Sequence, residues 1–195
     1  MIFATGNKGK AREFQEILGN TVGEIRTMKE AGIDIDIIED GKSFEENALI
    51  KARAIAKAIN YSEAVISDDS GLEVDFLNGE PGIYSARWMG EDTSYDIKNA
   101  ELIKLVEPAD KDKRTCRYVA AVAVVLEDGT EFCVRGTMEG EIAYQPAGEN
   151  GFGYDPVFYV PKYKKTVAEL SPDEKNAISH RGNALRLMKE KLENR

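Results

Sequence analysis

Residues 64–87, AVISDDSGLEVDFLNGEPGIYSAR, decide how the rest of the chain is read. Ala64-Val65-Ile66 is a short apolar run of the kind that forms a buried strand, and Ser67-Asp68-Asp69-Ser70-Gly71 has the composition of a turn. Residues 72–77 alternate as a further strand before the loop Asn78-Gly79-Glu80-Pro81-Gly82. Two adjacent carboxylates at the end of a buried strand are costly unless a cation faces them. A divalent metal on a phosphate ester is a usual partner, because hard oxygen ligands suit Mg²⁺. A plain polar turn accounts for the same residues, and both readings stand on this stretch alone.

Composition narrows the classes. A chain of 195 residues fits one domain, 1–195, large enough to bury a proper core. With 42% hydrophobic and 31% charged residues it has the balance of a folded globular protein. Its net charge of -9, from 35 acids against 26 bases, lacks the footprint expected for binding a nucleic-acid backbone or an anionic membrane. A polyanionic small molecule would have to be met by a local cluster of Lys and Arg. No run reaches the length of a membrane span, and the N-terminus enters a strand at once, so a cytoplasmic location is expected. Two cysteines and one histidine exclude Cys-rich and His-cluster metal sites, and both thiols are expected to be free and buried.

Toward the N-terminus, Met1-Ile2-Phe3-Ala4 reads as a strand, Thr5-Gly6-Asn7-Lys8-Gly9-Lys10 as a turn, and residues 11–18 as an amphipathic helix. Strand, glycine-rich turn and helix present free backbone N–H groups to an anion, and Lys8, Lys10 and Arg12 add full charges. The spacing is not that of a Walker A loop. Ile33-Asp34-Ile35-Asp36-Ile37 alternates as a strand. Ser43 caps a long helix over 44–59, with Glu46 completing a capping box and Lys51 on its polar side.

Toward the C-terminus, a helix is expected near 95–106 and a linker over 110–114. Residues 115–126 and 130–138 form a hairpin about Asp128-Gly129 in the middle of the sheet. In Gly151-Phe152-Gly153-Tyr154-Asp155, glycines flanking aromatics can bring a ring and bare backbone against a flat ligand. Ser171-Pro172-Asp173-Glu174 starts a helix that carries Lys175 and Ser179, and His180-Arg181-Gly182 interrupts it before a terminal helix over 183–192.

These motifs occur together and in order: Thr5-Gly6-Asn7 with Lys10, Ser67-Asp68-Asp69-Ser70-Gly71-Leu72, Pro81-Gly82-Ile83-Tyr84-Ser85-Ala86-Arg87, Gly151-Phe152-Gly153-Tyr154-Asp155-Pro156 and Ser179-His180-Arg181-Gly182. In this the chain resembles the inosine triphosphate pyrophosphatase family over nearly its whole length, from Phe3 to Leu185. The resemblance implies an α/β fold with a long mixed central β-sheet flanked by helices, in two lobes with a substrate cleft between them, usually as a homodimer. It implies hydrolysis of ITP, dITP or XTP to the monophosphate and pyrophosphate with Mg²⁺. Carried over by position, Thr5, Gly6, Asn7, Lys8, Gly9 and Lys10 would hold the triphosphate. Glu39 and Asp69 would bind or orient metal, with Asp69 the base and Ser70 touching substrate. Phe152, Gly153, Tyr154, Asp155, Lys175, His180 and Arg181 would surround the base of the nucleotide. A pyrimidine-directed nucleotide hydrolase and a non-catalytic nucleotide sensor remain as alternatives; the first is expected to lack the Gly-Phe-Gly-Tyr-Asp and Ser-His-Arg elements, and the second has little need of a second acid beside a metal.

Overall fold

The computed structural model describes residues 1–5 and 8–194, residues 8 and 9 by their backbone alone. Gly6 and Asn7, two of the expected phosphate-binding residues, lie outside the described residues, as do the side chains at 8 and 9. The elements in chain order are β1 (Ile2–Phe3), α1 (Lys8–Val22), β2 (Arg26–Thr27), α2 (Phe44–Ala58), β3 (Val65–Val74), α3 (Tyr95–Val106), β4 (Thr115–Val125), β5 (Glu131–Ile142), β6 (Phe158–Val160), β7 (Lys165–Thr166), α4 (Pro172–Ile178) and α5 (His180–Glu193).

Among the described residues the strands form one seven-stranded sheet in the order β2-β1-β3-β4-β5-β6-β7. It is mixed. β1 runs parallel to both neighbours, Ile2 opposite Arg26 and Val65, whereas β5, β6 and β7 pair antiparallel. The hairpin of β4 and β5 stands at the centre as its Asp128-Gly129 turn predicts, with Gly129 at φ +80. β4 is buried from Tyr118 through Val125, as befits a strand covered on both faces.

The chain divides into two compact units, residues 1–69, 120–136 and 181–195, and residues 70–119 and 137–180. Each has its own core. In the first, Phe3 stacks on Phe14 with ring centroids 4.0 Å apart, and Leu18, Ile66, Val122, Leu185 and Met188 close around them. In the second, Leu72, Leu102, Val106, Phe158 and Leu170 pack together. Each such side chain contributes roughly 1.5–3 kcal/mol by leaving water.

Several sequence expectations are corrected. The residues read as an acidic turn, with strands on either side, are one ten-residue strand, β3, followed by a 3-10 turn at Asp75–Leu77. Polar residues are tolerated there because they have partners: the Ser67 hydroxyl donates to the Ala48 carbonyl, and both aspartates meet donors described below. Residues 33–37 are not a strand, and Ile38 is 79% exposed. Alternation makes a strand only where a sheet edge accepts its hydrogen bonds, and β2 ends the sheet without this segment. In α2 the Ser43 side chain accepts from Glu46 N–H, but Glu46 accepts from Lys42 N–H, so the reciprocal box is not closed. The helix break falls at Ser179, which caps α4, and His180 and Arg181 open α5. Cys116 and Cys133 are both free, but only Cys116 is fully buried.

The expected linker over 110–114 holds the least expected side chain. Arg114 is 1% exposed and donates to the carbonyls of Val106 at 2.8 Å, Ile142 at 2.9 Å and Ala143 at 3.0 Å. It therefore ties the end of α3 to the end of β5, a helix C-terminus being a favourable place for a cation.

Candidate active site

The alternation of β3 sorts its acids. Successive side chains of a strand point to opposite faces, so Asp68 and Asp69, adjacent in sequence, serve different neighbours. Asp68, on the face of α1 and α5, is 3% exposed. Lys10 Nζ reaches both its oxygens at 2.9 and 3.1 Å, and Arg181 Nε lies 3.5 Å from Oδ2. Arg181 is held from its other side by Glu13 at 3.0 Å. Burial alone pushes the Asp68 carboxyl up, but the charges of Lys10 and Arg181 outweigh it and hold the group below the usual carboxylate range. Asp68 is thus an anion between two cations.

Asp69 faces α2. Asn47 Nδ2 donates to its Oδ2 at 3.2 Å, and Lys51 Nζ lies 3.7 Å from its Oδ1. The same Lys51 ammonium is 2.7 Å from Glu39 Oε2, so Glu39 and Asp69 converge on one cation. From the sequence, Lys51 is a polar helix position that could point at a phosphate; here its ammonium meets carboxylates. No group of three or more acidic, Cys or His side chains able to hold a metal occurs among the described residues. Glu39 and Asp69 fit Mg²⁺ nonetheless. That ion is held by one or two carboxylates together with substrate phosphates more often than by a protein cage.

In the second unit, Asp155 is likewise 3% exposed. Its Oδ1 accepts from the Tyr118 hydroxyl at 3.1 Å, and its Oδ2 accepts from Lys175 Nζ at 2.7 Å and from Phe152 N–H at 2.9 Å. Gly151, at φ +80, is required here, since a Cβ would come 2.1 Å from Asp155 Oδ2. Phe152 is 72% exposed, with Lys175 Nζ 5.0 Å from its ring centroid. The Tyr118 ring stacks on Phe158 and on His180, with centroids 4.4 and 5.0 Å apart. Burial, and then Asp155, push its hydroxyl well above the ordinary tyrosine value, keeping it a donor. Tyr154 is turned inward: it is buried, donates to the Ser85 carbonyl at 2.8 Å and meets Tyr95 edge-on.

The structure therefore gathers the expected residues into three groups: Lys10 and Arg181 on Asp68, Glu39 with Asp69 on Lys51, and Phe152, Lys175 and His180 around Asp155 and Tyr118. Ser70 follows Asp69 in β3, and Thr5 follows β1, where its N–H donates to the Phe3 carbonyl. Gly153 takes φ +67 in the aromatic loop. Sequence reasoning missed Asn47 and Tyr118. The signal for Tyr118 was slight, an aromatic ring in the otherwise small-residue run of β4.

Comparison with known proteins finds relatives over nearly the whole chain. The dITP/XTP pyrophosphatase of Clostridium perfringens is 46% identical over 195 residues, covering 98% of this chain and 96% of that protein. The dITP/XTP pyrophosphatase of Bacillus subtilis (strain 168) is 45% identical over 192 residues, covering 98% and 96%. The solved structure of the Staphylococcus aureus Ham1 protein superposes with a TM-score of 0.90 at 44% identity, covering 99% of this chain and 97% of that one. The profile of the Ham1 family matches residues 1–191, and the chain belongs to that family.

Proposed function

We propose that the chain hydrolyses non-standard purine nucleoside triphosphates, ITP, dITP and XTP, to the monophosphate and pyrophosphate, clearing deaminated purines from the nucleotide pool. The observation that carries this reading is the division of β3 into a face with two cations on Asp68 and a face with two carboxylates on Lys51. Attack of water on the α-phosphorus needs positive charge on the phosphates and a carboxylate to orient the nucleophile. Thr5, Lys8 and Lys10 with the intervening Gly6, Asn7 and Gly9 serve the triphosphate, Ser70 touches substrate, and Asp69 orients the water and takes its proton. Glu39 and Asp69 would hold Mg²⁺. Bound there, that ion supplies charge neutralisation on the phosphates.

In the second unit, the Phe152 ring with the bare backbone of Gly153 offers a stacking surface, and Tyr154 and Asp155 shape it from behind. Lys175 and His180 are donors suited to the C6 oxygen of hypoxanthine and xanthine, not to the amino group of adenine. Arg181, which the resemblance also assigns to the base, belongs to the first unit, where it meets Asp68 and Glu13. The 195 residues act as one domain, as a cytoplasmic homodimer. Net charge of -9 disfavours a nucleic-acid partner, and no helix among the described residues is long and apolar enough to cross a membrane.

The test is a panel of dITP, XTP, ATP, GTP and dTTP with Mg²⁺, assayed for both pyrophosphate and orthophosphate. Pyrophosphate released from dITP and XTP well ahead of the others is expected. Orthophosphate as the product, or dTTP as the preferred substrate, overturns the reading.

A further inference from the structure

Asn47 is a buried amide in the interior of α2, where an apolar residue would favour both helix and core. Its position is explained by what it joins. Oδ1 accepts from Gly41 N–H at 2.9 Å, and Nδ2 donates to Asp69 Oδ2 at 3.2 Å. The orientation of the amide is fixed by its partners, since an N–H needs an acceptor and a carboxylate needs a donor. Gly41 stands two residues after Glu39, so one side chain ties the loop carrying Glu39 to the strand carrying Asp69. The approach is close. A Cβ on Gly41 would lie 2.6 Å from Asn47 Oδ1 and 2.9 Å from the Asn47 nitrogen. The platform is itself anchored, because the Ser67 hydroxyl donates to the carbonyl of Ala48, the next residue of the helix.

We propose that Asn47 is a positioning residue that holds Glu39 and Asp69 in register for one divalent cation. The proposal rests on the metal role given to those two carboxylates above. Lys51, one turn further along α2, grips the same pair by charge and so competes with a cation for them. Asn47 instead holds Asp69 directly and the Glu39 loop through Gly41 N–H, by bonds of an uncharged amide that orient both without opposing a bound cation. Neither Asp nor Leu does both jobs: the first has no donor for Asp69, and the second has neither bond.

The test is direct Mn²⁺ binding, read by electron paramagnetic resonance with the α,β-imido analogue of dITP present, on wild type and Asn47→Ala. Loss of a side chain that orients metal ligands is expected to weaken Mn²⁺ about ten- to a hundredfold. Turnover with Mg²⁺ should fall in parallel, while KM for dITP at saturating Mg²⁺ stays within about twofold, as an orienting rather than substrate-binding role requires. Mn²⁺ binding unchanged in a variant that melts like wild type overturns the proposal. Should Asn47→Ala not fold, Gly41→Ala decides from the other end of the bridge, with the same weakening expected and unchanged Mn²⁺ binding again refuting. Wild type that binds no Mn²⁺ beside the analogue would instead sink the metal role of Glu39 and Asp69. Wild type that hydrolyses dITP while both variants bind Mn²⁺ normally sinks the role of Asn47 alone.

Discussion

Each unit of the molecule buries one aspartate to the same 3% exposure and pairs it with a lysine, at 2.9 Å for Asp68 and 2.7 Å for Asp155. The remaining partners differ. Asp68 has a second cation, Arg181, whereas Asp155 has a phenol hydroxyl and a backbone N–H. The first arrangement balances charge and the second fixes shape. A carboxylate between two cations is replaceable only by another anion, while one held by a single lysine and two directional neutral donors depends on the placing of its two oxygens as well as on its charge. The comparison teaches that equal burial and an equal ion pair do not mean an equal role.

The largest expected effect breaks the first assembly. Asp68→Asn leaves Lys10 and Arg181 without their shared anion, and breaking a buried ionic group in this way costs about 3–5 kcal/mol. Urea denaturation of wild type and variant measures it. The sign with pH follows from the depressed carboxyl of Asp68: its stabilisation is fully present above the unfolded carboxylate value of about 4 and is lost as pH falls through the lower folded value. The stability difference between the two proteins should therefore shrink in acid, and a difference that grows below that pH would contradict the ionic reading.

Asp69, the neighbour on the opposite face, sharpens the contrast. Asp69→Asn should lower kcat by about a hundredfold or more, the loss expected of a positioned base, with stability little changed. Steady-state kinetics beside a melting curve separates the two aspartates, and near-normal turnover would remove Asp69 from the chemistry.

In the second unit the effect should be smaller and should appear in KM. Asp155→Asn leaves one acceptor oxygen, enough for Tyr118 or for Phe152 N–H but not for both, and releases Lys175, so KM for dITP should rise about tenfold with kcat changed far less. The preference for ITP over ATP, taken as a ratio of kcat/KM, should narrow with it. An unchanged ratio means that this assembly does not read the base. The smallest change is Tyr118→Phe, which preserves the stack on Phe158 and His180 and removes one hydrogen bond, at a cost of about 1 kcal/mol in denaturation.

Much of this was legible in sequence. Ser43 announced α2, Asp128-Gly129 announced the central hairpin, and the motif order pointed to the family. What stayed hidden was pairing across the fold. A polar run such as Ser67-Asp68-Asp69-Ser70-Gly71 looks like a turn until Ala48, Lys10 and Asn47 are seen to satisfy it. The alternation at residues 33–37 looks like a strand until the sheet is seen to end at β2. Asn47 carries no local signature and Tyr118 only a slight one, because their importance lies in partners 22 and 37 residues away.

Arg114 stands apart from both aspartates, for it is a buried cation that donates to three backbone carbonyls. Carbonyls take up no proton where carboxylates do, and dissolved ions do not reach a side chain that is 1% exposed. The latch between α3 and β5 is therefore deaf to acidity and to salt alike, two signals that the charged assembly on Asp68 feels. It is also unforgiving of exchange. Lysine carries the same charge but gathers its donors on one nitrogen, and three carbonyls approached by separate arms of a planar fork leave it no equivalent grip.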